Sequence, residues 1–387
     1  MRSSGSYVPV STTGARARAF VPAPLPPRPP LAIDSPLRLQ LDRSLLALGR
    51  LDSIATLLPN PDLFLYSYVR KEAVVSSQIE GTQSSLSDLL LFEIAAAPGV
   101  PFDDVVAVSN YVAALEHGLA RIKEGFPLSN RLIREMHEVL MRRGRGSEKE
   151  PGEFRRIQNW LGGATPADAI FVPPPADRVP DCMDALERFL HDEPDSTPAV
   201  IKAALAHVQF ETIHPFLDGN GRLGRLLVPL ILHVDGVLER PLLYLSLYFK
   251  QRREEYYARL GRVRTEGDWE GWLMFFAAGV IEVAENAVAT AKRLADLIQR
   301  DRERVRGVGR GAPTALQVHE ALQREPVTTI PRLVERTRLS VPGATAALER
   351  LVALDMVREV TGRQRNRVYS YVSYVSLFSE GTEPPRR

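Results

Sequence analysis

Residues 214–225 read His214-Pro215-Phe216-Leu217-Asp218-Gly219-Asn220-Gly221-Arg222-Leu223-Gly224-Arg225, and no other stretch constrains this chain as much. Residues 198–212, before it, carry Ile201, Leu205, Val208 and Thr212 at helical spacing on one face. After it, residues 226–234 are apolar nearly all round, as expected for a helix in the middle of a bundle. Pro229 inside that run implies a kink or a local break. The stretch is therefore a loop that opens onto a helix N-terminus.

Such a loop offers specific chemistry. Gly219 and Gly221 permit tight turns and let backbone N–H groups approach a ligand. The helix that follows adds free N–H groups and the positive end of its dipole, which together make an anion site. Arg222 and Arg225 stand three apart on one side of that helix, and paired guanidinium groups suit phosphate oxygens. Asp218 is a hard oxygen ligand of the kind Mg2+ on a nucleotide requires. His214 heads the loop and can accept a proton near neutral pH. The residues describe a triphosphate cradle with one metal ligand and one base. With about eight specified positions, a random window matches on the order of once in ten billion.

The pattern His-x-Phe-x-Asp-Gly-Asn-Gly-Arg-x-x-Arg resembles the signature of the Fic (filamentation induced by cAMP) family, and this chain matches every specified position. The resemblance covers roughly residues 20–300 and extends more loosely beyond. It implies a mainly helical fold, a bundle with a small β-hairpin flap, and transfer of AMP from ATP to a Ser, Thr or Tyr hydroxyl of a target protein. Carried onto this chain, it makes His214 the base that deprotonates the target hydroxyl and Asp218 the Mg2+ ligand. Gly219, Asn220, Gly221 and Arg222 would cradle the phosphates, with Leu223 and Gly224 in the same turn, and Arg225 would grip the γ-phosphate. Of the adjacent Tyr256 and Tyr257, one would line the adenine side, with Tyr257 the expected one.

A second motif lies upstream. Ser76-Ser77-Gln78-Ile79-Glu80-Gly81 matches the family's inhibitory pattern Ser/Thr-x-x-x-Glu-Gly/Asn. Ser76 and Glu80 are four apart and share a helix face, and Gly81 stops that helix as a C-terminal cap. The resemblance implies that Glu80 pairs with Arg225 and so withholds it from the γ-phosphate. Residues 152–175 look like the family's flap, with Ala169-Ile170-Phe171-Val172 as a short strand candidate in a hairpin whose edge could take a target peptide as an extra strand.

The remaining sequence sets the domain plan. Residues 1–35 form a Pro-rich arm, with an extended polyproline run at residues 22–30. Residues 36–115 are a helical region that holds the inhibitory helix, starting with leucines 39, 41, 45, 46 and 48 and ending at residues 57–61. Ser85 and Asp88 form a capping box for the next helix. The catalytic core spans residues 116–300. The charged, Gly-bearing residues 301–314 suit a linker. In residues 315–387, three short helices at 315–323, 329–337 and 341–354 precede alternating strands at 358–360 and 367–371, a winged-helix pattern. Arg350 and the wing residues Arg363, Arg365 and Arg367 are its cationic groups, and DNA contact through them is left open.

Composition narrows the partners. A net charge of +2 in 387 residues gives no argument for nucleic acid or membrane as the main partner. The most apolar stretch, residues 226–232, is too short to span a bilayer, and no signal-peptide core stands at the N-terminus. Cys182 is the single cysteine, which fits a reducing cytoplasm. ATP and Mg2+ are the expected ligands and a hydroxyl-bearing protein the expected partner. A homodimer, a nucleotide-sensing winged-helix regulator and an AMP-removing hydrolase on the same fold stay open as alternatives.

Overall fold

The computed structural model describes residues 2–12, 15–57, 61–94 and 102–383. Residues 58–60, within the expected end of the first helix, fall outside the described residues.

The arm is more structured than its proline content implies. Strands β1 (Gly5–Thr12) and β2 (Ala15–Pro22) pair antiparallel, with Tyr7 opposite Phe20 and Pro9 opposite Arg18. Ala19 and Phe20 are buried. The Pro-rich run that follows is pinned through its carbonyls, the only backbone hydrogen-bonding groups proline offers. Arg2 donates to Pro29 O and Pro30 O, each at 2.7 Å, and pairs with Glu270 at 2.8 Å. Gln209 donates to Ala23 O at 2.9 Å.

The helical body begins with α1 (Ser35–Leu57), α2 (Pro61–Ile79), α3 (Leu86–Phe92), α4 (Phe102–Lys123) and α5 (Asn130–Leu140). In α1 the buried face is Leu37, Leu41, Leu48 and Leu51, while Leu39, Leu45 and Leu46 are exposed. The expected capping box forms: the Ser85 hydroxyl accepts from Asp88 N, and Asp88 accepts from Ser85 N at 2.8 Å. After the flap region come α6 (Val179–Leu190), α7 (Ala199–Ile213) and α8 (Asn220–Val234), then α9 (Ser246–Gln251), α10 (Arg253–Glu266) and α11 (Trp269–Arg306).

α7 and α8 pack on each other at the centre. α7 is buried on nearly every side rather than along one stripe, so Lys202 and His207 find their partners inside the fold. Lys202 meets Asp192 at 2.9 Å and Asp235 at 3.0 Å, and His207 bonds Gly224 O at 3.0 Å and the Tyr256 hydroxyl at 2.8 Å. α8 is the buried central helix its composition implies, but Pro229 does not break it; the helix runs on to Val234. Packing on both sides outweighs one missing hydrogen bond.

α11 holds two differences from expectation. Residues 301–306 have the charge of a linker, yet they continue this helix, because no Gly or Pro interrupts it before Gly307. Asp301 is buried and accepts from the Tyr371 hydroxyl at 2.6 Å, and Val305 is fully buried. By length and composition α11 could also cross a membrane, although half of its most apolar window is buried inside the fold. Residues 226–232 are therefore not the stretch on which that question turns.

The C-terminal region contains α12 (Ala312–Arg324), β3 (Val327–Thr329), α13 (Ile330–Thr337), α14 (Val341–Ala353), β4 (Val357–Glu359), β5 (Val368–Tyr371) and α15 (Val372–Ser379). The three strands form an antiparallel sheet in the order β3-β5-β4. β3 has no counterpart in the expected pattern, being only three residues long. α15 turns back onto α2, α3 and α11: Tyr374 bonds Ser67 on α2 at 3.2 Å, and Phe378 meets Phe64 with ring centroids 5.8 Å apart.

Candidate active site

α7 ends at His214, which takes a left-handed conformation at φ 50°, its N–H donating to Phe210 O at 2.9 Å. Pro215 cannot continue the helix. Histidine is among the few side chains that enter this region with some regularity, at a modest cost. The turn aims the chain back across the end of α8. Asn220 then closes the loop: its Oδ1 accepts from Phe216 N at 2.9 Å and its Nδ2 donates to Phe216 O at 2.8 Å. Its side chain is buried and spent on loop geometry, so only its backbone is left to meet a ligand.

Gly219 caps α8 at φ 78°. A Cβ there would lie 2.9 Å from Met141 Sδ and 3.3 Å from His137 Nε2, so both backbone angle and space call for glycine. Behind the loop, His137 stacks on Phe216 with centroids 3.7 Å apart, accepts from Gly152 N through Nδ1 at 2.8 Å and bonds Asp218 O through Nε2 at 3.0 Å. Burial holds its pKa down to about 4, so it is the neutral Nε2–H donor here. Nothing near position 137 in the sequence signals this role.

The charged groups converge on the first turn of α8. Arg225 is almost wholly buried; its Nε donates to Ser76 Oγ at 2.9 Å, and its Nη2 donates to Ser76 O at 2.9 Å and to Glu80 Oε1 at 2.7 Å. Burial opposes its charge, but Glu80, Tyr256 and Glu211 outweigh burial and hold it protonated. A Cβ on Gly221 would collide with Glu80 Oε1, so glycine at 221 makes the room in which this carboxylate rests. Glu80 itself follows the last turn of α2, and Gly81, at φ 100°, carries the chain away. The structure thus brings Ser76, Glu80 and Arg225 together, in the pairing that the family resemblance implies.

Arg222 is buried, with Nη2 3.2 Å from Met141 Sδ and 3.7 Å from Asp218 Oδ1, while its Nε lies buried without a partner. Asp218 accepts from Gly219 N at 2.6 Å and stands 3.8 Å from Lys149. Among the described residues no three His, Cys, Asp or Glu side chains cluster to cage a metal. One partly exposed carboxylate is what Mg2+ asks of a protein when substrate phosphates supply other ligands, so the residues fit that ion. The Leu223 side chain lies in the core, and Gly224 O is taken by His207.

The His214 ring is held by its surroundings. Its Nδ1 is buried and makes no hydrogen bond, although the Glu211 carbonyl lies near enough to favour protonation. Burial and Arg155 push its pKa down to about 4, against Glu80. It is a neutral imidazole at pH 7, able to accept a proton. Glu211, three residues earlier, has Oε1 buried without a partner. Burial lifts its pKa to about 7, with Arg225 opposing and Glu80 adding. Glu211 was not singled out from the sequence, though its position one turn before His214 placed it beside the loop.

The two tyrosines separate cleanly. Tyr256 is buried, stacked on Phe249 at 4.4 Å and bonded to His207. Tyr257 is 44% exposed, and Glu80 contributes to raising its pKa after burial, which sets it beside the charged cluster. The flap is slighter than expected: a single bridge pairs Leu161 with Phe171, rather than a full strand over residues 169–172. One edge of the Phe171–Val172 segment is covered, because Phe20 on β2 donates to Val172 O at 2.9 Å.

Comparison with known proteins matches this geometry. Residues 39–120 match the Fic/DOC family N-terminal model, and residues 127–232 match the Fic/DOC family model. Protein adenylyltransferase Fic of Drosophila yakuba is 32% identical over 202 residues, which are 51% of this chain and 38% of the fly protein; the Drosophila erecta protein is 33% identical over the same shares. The match therefore spans well under half the length of these relatives. Among solved structures, a Fic family protein from Desulfovibrio desulfuricans G20 superimposes with a TM-score of 0.59 at 22% identity, covering 89% of this chain and 98% of that one. Fic-1 from C. elegans gives 0.54 at 24% identity, over 67% of this chain and 74% of that one. At these identities the structural likeness is one of fold. With the signature loop, the helix that precedes it and the matching fold all present, the chain belongs to the Fic/DOC family.

Proposed function

We propose that this chain is an autoinhibited protein adenylyltransferase that moves AMP from ATP to a hydroxyl of a target protein. The observation that carries the reading is the Glu80–Arg225 pair, seated on the glycine-lined first turn of α8 beside His214. A helix N-terminus with two buried arginines is an anion site, and here a carboxylate of the same chain lies against it. Removing Glu80 would free Arg225 for a terminal phosphate.

In the reaction the target hydroxyl gives its proton to His214 as its oxygen bonds to the α-phosphorus. The bond from that phosphorus to the bridging oxygen breaks, and pyrophosphate leaves. The α8 amides, Arg222 and Arg225 would balance the charge that develops on the phosphates. Asp218 is the residue that would hold Mg2+, which when bound neutralises phosphate charge. Phosphates close to His214 would also raise its depressed proton affinity. Tyr257 would line the adenine side.

The C-terminal region supports a winged-helix reading: three helices, the sheet order β3-β5-β4, and a wing at residues 360–367. Helix α14 exposes Val341 and Val352, which offer a base edge no hydrogen bond, and its one basic group, Arg350, is partly buried. The protein target carries the proposal, and DNA does not. The single cysteine, Cys182, is free and suits a cytoplasmic setting.

The test is transfer of label from ATP labelled at the α-phosphate, with Mg2+, in the presence of bacterial lysate. Wild type should label protein weakly, Glu80→Gly strongly, and Glu80→Gly with His214→Ala not at all. Absence of label in all three, with ATP still bound, would move the function to nucleotide sensing or AMP removal.

A further inference from the structure

Arg155 lies at the base of the flap, 2% exposed. It has no carboxylate partner among the described residues. Its guanidinium instead serves four carbonyls: Nε donates to His214 O at 2.9 Å, Nη1 to Ile157 O at 3.2 Å, and Nη2 to Pro174 O at 2.6 Å and Ile213 O at 3.4 Å. Its backbone N–H adds a fifth bond, to Pro215 O at 2.8 Å. A buried cation neutralised only by carbonyl dipoles is costly unless nearly all its donors are used, and here they are used on two structures at once. Residues 213–215 are the end of α7 and the left-handed turn at the base. Residues 157 and 174 belong to the two limbs of the flap.

We propose that Arg155 is a positioning residue that locks the His214 turn to both limbs of the flap, so that base and acceptor segment are held in one register. The proposal rests on the transferase reading. A planar fork with five donors can reach four carbonyls in different directions; a lysine ammonium, with three donors at one point, cannot. The left-handed turn at His214 is the part that most needs such a restraint, since its backbone would relax elsewhere. Arg155 also acts on the imidazole through its charge. The charged groups that influence His214 are Arg155 at the flap base, Glu80 after α2 and Arg264 on α10, with the Glu211 carbonyl on α7 as the polar neighbour. Burial lowers the pKa of Arg155 to about 10, which leaves it charged at neutral pH.

Two variants separate the bracing from the charge. In the Glu80→Gly background, Arg155→Lys and Arg155→Met should both cut kcat for label transfer by about 100-fold, the scale expected when a reacting group shifts by an ångström. KM for ATP should stay within roughly 3-fold, because the hydrogen bonds of Arg155 go to carbonyls of the turn and the flap. NMR titration of the His214 imidazole gives a second readout that needs no turnover. Its pKa should rise in Arg155→Met, where the cation is gone, and stay low in Arg155→Lys. Should Arg155→Met fail to fold, as judged by a thermal melt, Arg155→Lys alone must still show the kcat loss. A kcat retained within about 3-fold in either folded variant, or an unmoved His214 titration in Arg155→Met, overturns the proposal. If the Glu80→Gly parent transfers no label, the transferase reading is what fails, and the titration then decides whether Arg155 governs the imidazole.

Discussion

The two ends of the Glu80–Arg225 pair are built differently. Arg225 rises from near the start of the central helix α8, is 2% exposed, and is tied to Ser76 twice as well as to Glu80. Glu80 stands past the end of α2, is 39% exposed, and pairs with Arg225 at 2.7 Å. A half-exposed carboxylate that leaves its partner is taken up by water at little cost. A buried guanidinium that loses its partner needs another. Arg225 has the Ser76 bonds and the nearby Glu211 carboxylate to fall back on. The arginine is thus the fixed half of the pair and the carboxylate the removable half. A phosphate that arrived at α8 would compete with the half that can leave.

The sharpest way to break that comparison is to remove the fixed half. Arg225→Ala in the Glu80→Gly background should lower label transfer by about 100-fold, the scale seen when a donor to developing phosphate charge is lost. The same change should lower thermal stability far more than Glu80→Gly does, because only Arg225 is fully buried. Similar melting points for the two single variants would erase the distinction between fixed and removable ends. A smaller effect is expected at Asp218. Asp218→Ala should weaken Mg2+-dependent nucleotide binding by roughly 10-fold, since one carboxylate among phosphate ligands holds only part of the ion. Unchanged metal dependence in a titration with Mg2+ would remove Asp218 from that role.

How much of this was legible in the chain depends on where each partner lies. The loop at residues 214–225 is contiguous, so its turn, anion site and arginines could be read directly. Ser76 and Glu80 share a face because they are four apart, and Gly81 marks the helix stop. Arg155 is different: its acceptors at 157, 174, 213 and 214 come together only in the fold. His137 is opaque for the same reason, since its ring meets Phe216 from a helix some eighty residues away in sequence. The β1–β2 hairpin was obscured by local chemistry. Pro9 and the Pro-rich run that follows read as an arm, but Pro9 sits in the two-stranded ribbon opposite Arg18, where a missing N–H is tolerated. On α1, the leucine spacing signals a helix but not its core face: Leu39, Leu45 and Leu46 match the apolar pattern yet point outward. Periodicity fixes that a helix forms more surely than which side it buries.

The smallest predicted effect tests what holds the removable half in place. Gln78, two residues before Glu80, is buried and donates to Ser84 O and to Thr382 O, each at 2.8 Å. Its Oε1 accepts from Lys250 at 2.6 Å, and Lys250 also reaches Gly381 O at 3.3 Å and Glu383 O at 2.9 Å. The last turn of α2 is therefore gripped by residues 381–383 through one amide. Gln78→Ala cuts that grip without touching Glu80 or Arg225. Losing a hydrogen-bond set worth on the order of 1–2 kcal/mol should shift the balance toward the released state, with label transfer rising by about 5-fold. Glu80→Gly should exceed that, because it removes the carboxylate rather than loosening it. If Gln78→Ala leaves transfer unchanged while Glu80→Gly raises it, the carboxylate is held by its own ion pair alone and the C-terminal segment has no part in the restraint. If the two variants rise equally, the helix end and not the ion pair is what keeps Arg225 occupied, and the contrast between fixed and removable halves belongs to α2 as a whole.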